Sequence, residues 1–180
     1  DASTSYTDLS SWQATGNDSN SVNVEPKFFS STDLHTQDLR LNGNAMPSMY
    51  VKNDMDYAVR DSVNPDIGAD EFSPPPLDAG IWAVISPKMP FQSDTQSVRV
   101  VLYNYGSDTL NTVSINWEMD GVAQTTNNWS GKLGTGDTAI VSLGTWVFSS
   151  DSSYDFKTWT SDPNNGTDSD ASNDTTELFD

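Results

Sequence analysis

The chain has 180 residues and a formal net charge of −18, from 26 acidic against 8 basic side chains. Such a chain repels nucleic acid and anionic membranes, because it carries no cationic patch to release counterions; its charge either attracts divalent cations or simply keeps it in solution. The absence of cysteine excludes disulfides, thiolate nucleophiles and zinc–thiolate sites, and His35 is the only histidine on which a Ser-His-Asp site could draw. No G-x-S-x-G nucleophile elbow occurs, no apolar run reaches membrane-spanning length, and no signal peptide opens the sequence. We read the chain as a mature piece or excised fragment of a longer secreted protein. Hydrophobic residues make up 34%, which is low, and six Trp, six Tyr and seven Phe supply the area for a thin core.

Residues 1–73 are irregular. "SVNVEPKFFSSTDLHTQ" holds short apolar stretches between turn residues, and "NDMDYAVRDSVNPDIGADEF" is dense in acids. Trp12, Phe28, Phe29, Leu34, Leu39, Leu41, Ile67 and Phe72 call for burial, although the segment alone can barely bury a core. Asp54, Asp56, Asp61, Asp66, Asp70 and Glu71 surround Arg60. Carboxylates in that density can hold calcium, a hard cation that takes several oxygen ligands, with Asp54, Asp56, Asp66 and Asp70 as the ligand set. Alternatively Arg60 pairs with one or two of them while the rest stay hydrated. In "TDLHTQ", Asp33 and His35 fall on one face of a strand by period two. They form either an acid–base pair or a hydrogen-bonded structural histidine.

"NPDIGADEFSPPPLDAG" marks the change of character. Residues 74–79 read as a stiff proline linker. Beyond it, strands are expected at "GIWAVISP" (80–87), "QSVRVVLYNYG" (96–106), "TVSINWEMDG" (112–121), "TAIVSLG" (138–144), "SYDFKTWTS" (153–161) and "TTELF" (175–179). Val98, Val100 and Leu102 face inward against Arg99 and Asn104, Val113, Ile115, Trp117 and Met119 share one face, and Asp120-Gly121 is a strong hairpin signal. Short strands between Gly, Asn and Asp turns, with no helical period, describe an antiparallel β-sandwich.

Within "DPNNGTDSDASND" (162–174), Asp162, Asp168 and Asp170 are a second candidate calcium set; the alternative is a polar hairpin built of turn residues. Trp117 and one of Trp82 or Trp159 are expected in the core, and Trp129, in "TNNWSG", is read as a loop residue able to stack on a sugar or to anchor on the sheet edge. Ser62, Thr109, Thr138 and Thr175 each follow Asp in the short pattern that Bacteroidetes O-glycosylate.

Two resemblances follow from these motifs. "VRVVLYNYGSDTL", "VSINWEMDGV", "KLGTGDTAIVSLGTW" and "FKTWTSDPNNGTDSDASNDTT", in that order, resemble the bacterial cell-adhesion-related (CARDB-like) Ig-like family. That implies a seven-stranded sandwich over residues 80–180, a spacer or adhesive module with no catalytic residues. "SSWQATGNDSNSVNVEPKFFSSTDLHTQ", "LNGNA" and "DMDYAVRDSVNPDIGADEF" resemble the C-terminal end of right-handed parallel β-helices in secreted Bacteroidetes proteins. Residues 1–73 would then be a solenoid cap, with Tyr57 standing where that pattern usually has Gly. Solenoid coils stack on their neighbours, so the first coils would need upstream coils or a neighbouring chain as partner, and open ends could pair into a filament.

The expected class is therefore all-β, a parallel β-helix end plus an Ig-like sandwich. The expected function is a non-catalytic extracellular or cell-surface structural or adhesive segment. The alternative is a carbohydrate-binding accessory module of a secreted polysaccharide-degrading enzyme. Calcium is the candidate cofactor, and neither nucleic acid nor membrane insertion is expected.

Overall fold

Val98, Val100 and Leu102 occupy every second position of one strand, so the pleat sends all three the same way, and each is fully buried. In the computed structural model that describes residues 6–16, 18–26, 28, 30–36, 38–149 and 152–179, the chain divides into two compact units, Asp1–Ser73 and Pro74–Asp180.

The second unit is a sandwich of β1 (Ala79–Ser86), β2 (Thr95–Asn104), β3 (Leu110–Met119), β4 (Val122–Ala123), β5 (Asn127–Leu133), β6 (Thr138–Val147), β7 (Asp155–Ser161) and β8 (Thr175–Phe179). One sheet runs β1-β2-β6; the other runs β4-β3-β7-β8, with β5 also on β3. Every pairing is antiparallel. The six strands located in the sequence become eight, because the polar stretch 127–133 is the edge strand β5 rather than a loop, and a two-residue β4 closes the hairpin. Asp120 and Gly121 both take positive φ there, 52° and 73°, as a two-residue turn between twisted strands requires. The core joins Val113, Ile115, Trp117 and Met119 of β3 and Phe156 of β7 to the inward residues of β1, β2 and β6.

Asn104 departs from expectation. It shares the parity of Val98, Val100 and Leu102, so it points inward and is 1% exposed. Its amide stays satisfied, with Nδ2 donating to the carbonyls of Asp108 and Leu133 and Oδ1 accepting from Gly106 N–H.

The segment read as a stiff linker is hydrogen-bonded to the sandwich. The carbonyls of Pro75, Pro76 and Leu77 accept from the N–H groups of Ser107, Asp108 and Ser169, and the Asp78 carbonyl accepts from Tyr105 and Gly106. Proline has no N–H to offer but keeps its acceptor, so all the donors come from the sandwich loops. The approach is close: a Cβ on Gly106 would lie 2.6 Å from the Pro76 carbonyl oxygen.

The described residues of the first unit do not display the expected solenoid. Among the described residues of 1–73 there is no parallel strand pairing. There is one short helix, α1 (Leu9–Gln13), and two isolated antiparallel bridges, Phe28–Thr36 and Asn53–Val59. Coils of a β-helix hydrogen-bond to the next coil; here carboxylates take the backbone N–H groups instead. Of the residues expected to need burial, Leu41 is buried, whereas Trp12, Phe28 and Leu34 are exposed, Leu39, Ile67 and Phe72 are half-buried, and Phe29 lies outside the described residues.

Tyr57 holds a left-handed φ of 67° at 86% exposure, in a turn where Asp54 Oδ1 accepts the N–H groups of Asp56 and Ala58. The tight turn therefore forms without glycine. Left-handed backbone costs a side-chain-bearing residue about 1–2 kcal/mol, partly offset because glycine has more freedom to lose on folding. Tyr57→Gly is expected to stabilise this turn by about 0.5–1 kcal/mol, read from the urea midpoint of the amide signals of residues 52–60.

Candidate functional site

The acids of the first unit bind its own backbone. Asp66, 3% exposed, accepts the N–H groups of Gly43 through Oδ1 at 2.6 Å and of Phe72 through Oδ2 at 2.8 Å. Burial pushes its carboxyl up, and those two amides oppose the shift. Asp54 Oδ2 accepts from Glu71 N–H at 3.3 Å, and Asp61 Oδ1 from Val63 and Asn64, which holds the Asp61 carboxyl down. Arg60 pairs with Glu71 at 3.2 Å and donates to the carbonyls of Gly68 and Asp66. The predicted set Asp54, Asp56, Asp66 and Asp70 is thus divided among separate tasks rather than gathered on one point.

Asp56 and Asp70 belong with a residue that the calcium reading left out. His35, Asp56 and Asp70 bring one ligand atom each within 4.8 Å of one another. Asp33 Oδ1 and Asp56 Oδ2 lie 2.5 Å from His35 Nδ1 and Nε2. The hydrogen bond to Asp56, then that to Asp33, raises the His35 pKa from 6.5 to about 9. The two carboxylates favour the cationic imidazole, which then serves as their counterion. Because the folded pKa is the higher one, the pairing contributes fully below pH 6.5 and is lost as pH rises through about 9. An NMR titration of the imidazole should give a midpoint well above 6.5, and Asp56→Asn should lower it markedly.

In the sandwich a second group forms where β1 meets the loop between β7 and β8. Asp78 is 1% exposed, and its Oδ1 accepts from Asn173 Nδ2 at 3.0 Å. Asp168 Oδ2 accepts from Ala79 N–H at 3.1 Å and its Oδ1 from Asp170 N–H at 3.0 Å. Asp170 Oδ1 accepts from Ser172 N–H. Asp174 Oδ1 accepts from Thr160 Oγ1 at 3.3 Å. Burial, with the neighbouring acids, pushes Asp78 and Asp174 up to about 7, and burial raises Asp168. Asp162, predicted to belong here, is exposed, with φ 55° ahead of the short 3-10 turn Pro163–Asn165. The sequence reading missed Asp78 because 90 residues separate it from Asp168; its lone acid after a proline run was the available signal.

Around this group the two sheets are laced together. Thr160 Oγ1 of β7 donates to the Ala79 carbonyl at 2.5 Å, and Thr176 Oγ1 of β8 to the Ile81 carbonyl at 2.9 Å. Gly80 faces Asn173 so closely that a Cβ would lie 2.5 Å from the Asn173 carbonyl oxygen. Gly80→Ala is expected to displace that loop and cost about 1–3 kcal/mol, read from the guanidinium midpoint of the sandwich.

The remaining predicted residues are dispersed. Trp129 lies on β5, packs partly buried against the core, and covers Gly131 with its indole. Trp117 is core, while Trp82 stacks on Tyr103 with centroids 5.0 Å apart and Trp159 lies under Lys157. Ser62, Thr138 and Thr175 are exposed and Thr109 is half-buried. No helix of the described residues is long and apolar enough to cross a membrane.

No protein-family model matches the chain, and no curated protein matches it. Among solved structures, it is similar to the CARDB domain of a Pyrococcus furiosus protein, determined in complex with di-metal ions. The identity is 13% and the TM-score 0.48, over 61% of this chain and 91% of that one. A solution structure of a CARDB domain from P. furiosus gives 16% and 0.43, over 60% and 94%. A domain of a provisionally named cell-surface protein from Methanosarcina acetivorans gives 17% and 0.47, over 58% of this chain and 90% of that one.

Proposed function

We propose that the chain is a non-catalytic structural or adhesive segment of a secreted or cell-surface protein. The observation that carries this reading is the lacing of the sandwich at its entry and exit. The Leu77–Ala79 segment and β1 on one side, and β7, its following loop and β8 on the other, are joined by side-chain-to-backbone bonds from Asp168, Thr160 and Thr176 and by the backbone bond from Ser169 N–H to the Leu77 carbonyl. Pulling on the chain on either side of the sandwich would load this lacing before the core. Elsewhere polar side chains serve the same end, since the acids of the first unit fasten loops to each other rather than lining a reaction centre.

Single-molecule pulling on the full chain tests the reading. The sandwich is expected to open in one event, and the double variant Thr160→Val, Thr176→Val should open at clearly lower force while keeping its circular dichroism spectrum. Equal opening forces for the two proteins would sink the load-bearing role. Light scattering and negative-stain imaging of the same sample would test assembly into fibres. A glycan array with Trp129→Ala as control addresses the carbohydrate-binding alternative, for which saturable binding lost in that variant would be the deciding result.

A further inference from the structure

We propose that His35, Asp56 and Asp70 form a zinc site, with Asp33 orienting the imidazole from its far side, and that the bound ion staples three separated segments of the first unit together. This goes beyond the structural reading above and stands without it.

His35 comes from the stretch closed by the Phe28–Thr36 bridge, Asp56 from the turn inside the Asn53–Val59 bridge, and Asp70 from the segment that ends the unit. One ligand atom of each lies within 4.8 Å of the other two. Zinc holds nitrogen and oxygen at about 2.0–2.2 Å, so tetrahedral ligands stand about 3.4 Å apart and fit within that span. Asp33 Oδ1 lies 2.5 Å from His35 Nδ1 and also accepts the His35 backbone N–H at 3.2 Å. A carboxylate fixed in this way keeps a proton on Nδ1 and turns the Nε2 lone pair toward Asp56, as the outer partners of metal-bound histidines do.

Asp70 decides between a metal and a proton. Each ring nitrogen holds one proton, so an imidazolium answers Asp33 and Asp56 and leaves Asp70 over. Asp70 is 7% exposed, yet among the described residues its carboxylate accepts only the Thr36 N–H, at 3.5 Å. Asp66, also buried, holds two N–H groups at 2.6 and 2.8 Å. A buried carboxylate so thinly satisfied is costly without a stronger partner. A divalent ion in place of the proton on Nε2 supplies one, and it brings more positive charge to the three acids than the imidazolium does.

The donor set selects the ion. Calcium and magnesium take oxygen ligands. One imidazole nitrogen with two carboxylates suits a borderline divalent ion, and zinc can complete such a set with water. The Asp56 side chain is 58% exposed, so it has room to move apart from Nε2 as the ion enters. The unit is one that a staple would serve. It has no cysteine for a disulfide, and among the described residues Leu41 and Pro65 are its only buried apolar side chains.

The full chain, carrying no polyhistidine tag and stripped with EDTA, is titrated with zinc chloride, with calcium chloride as reference. Calorimetry should show one zinc ion bound per chain. The imidazole signals of His35, the sole histidine, should shift together with the amides of residues 33–36, 54–58 and 69–71, and calcium should not reproduce the shifts. His35→Gln should abolish binding, Asp33→Asn should weaken it about 10–100-fold, and Asp162→Asn should leave it at the parent value. Asp70→Asn should also lose it; should that variant fail to fold, Asp56→Asn, altered on an exposed turn, is read by the same signals. Zinc binding weaker than about 1 mM, shifts centred away from His35, or parent-like affinity in a folded His35→Gln would overturn the proposal.

Discussion

An edge strand presents a row of backbone groups that must find partners, and β1 is such a strand. It is paired with β2 along one side, and along the other its carbonyls are met by hydroxyls from the opposite sheet rather than by another strand. Thr160 and Thr176 can do this because threonine carries its donor on a stiff β-branched side chain that packs well in strands. The N–H of Ala79 goes to Asp168. Once β1 is sealed in this way, the positions of Asp78, of the Pro75–Pro76 turn and of the β7–β8 loop all follow.

Much of the sandwich was legible because its signal is periodic. Val113, Ile115, Trp117 and Met119 alternate without interruption, and Asp120-Gly121 supplies the turn chemistry, so β3 and its hairpin could be read off the residues. Strand β5 could not. "NNWSGKL" has low strand propensity and a single residue, Leu133, that is fully buried. It is a strand because β3 offers it an open edge, which is tertiary context overriding local preference. Asn104 shows the converse: its parity announced burial, but its chemistry suggested solvent, and the geometry of the β2–β3 turn decided for parity.

The first unit was less legible, for a physical reason. Its motifs resemble a solenoid, yet a solenoid coil gains its hydrogen bonds from the coils beside it. The backbone of this unit takes them from its own acids. Asp54, Asp61, Asp66 and Glu71 each accept two or more main-chain N–H groups, which explains a high acid content without a metal. Counting carboxylates therefore said little about chemistry. What separates the two acidic groups is whether each oxygen has a donor and each cluster a cation, and neither property is visible in sequence spacing.

The acceptor-only character of the proline segment bears on where the sandwich begins as an autonomous module. Cutting at the first residue of β1 would keep every strand yet strip acceptors from the N–H groups of Ser107, Asp108, Tyr105, Gly106 and Ser169 at once. Those donors sit in two separate loops, between β2 and β3 and between β7 and β8, so the loss would loosen one whole end of the sandwich. The smallest excisable module thus starts at the prolines. A flexible Gly-Ser spacer could not replace them without paying, in chain entropy, for the order that proline supplies in advance.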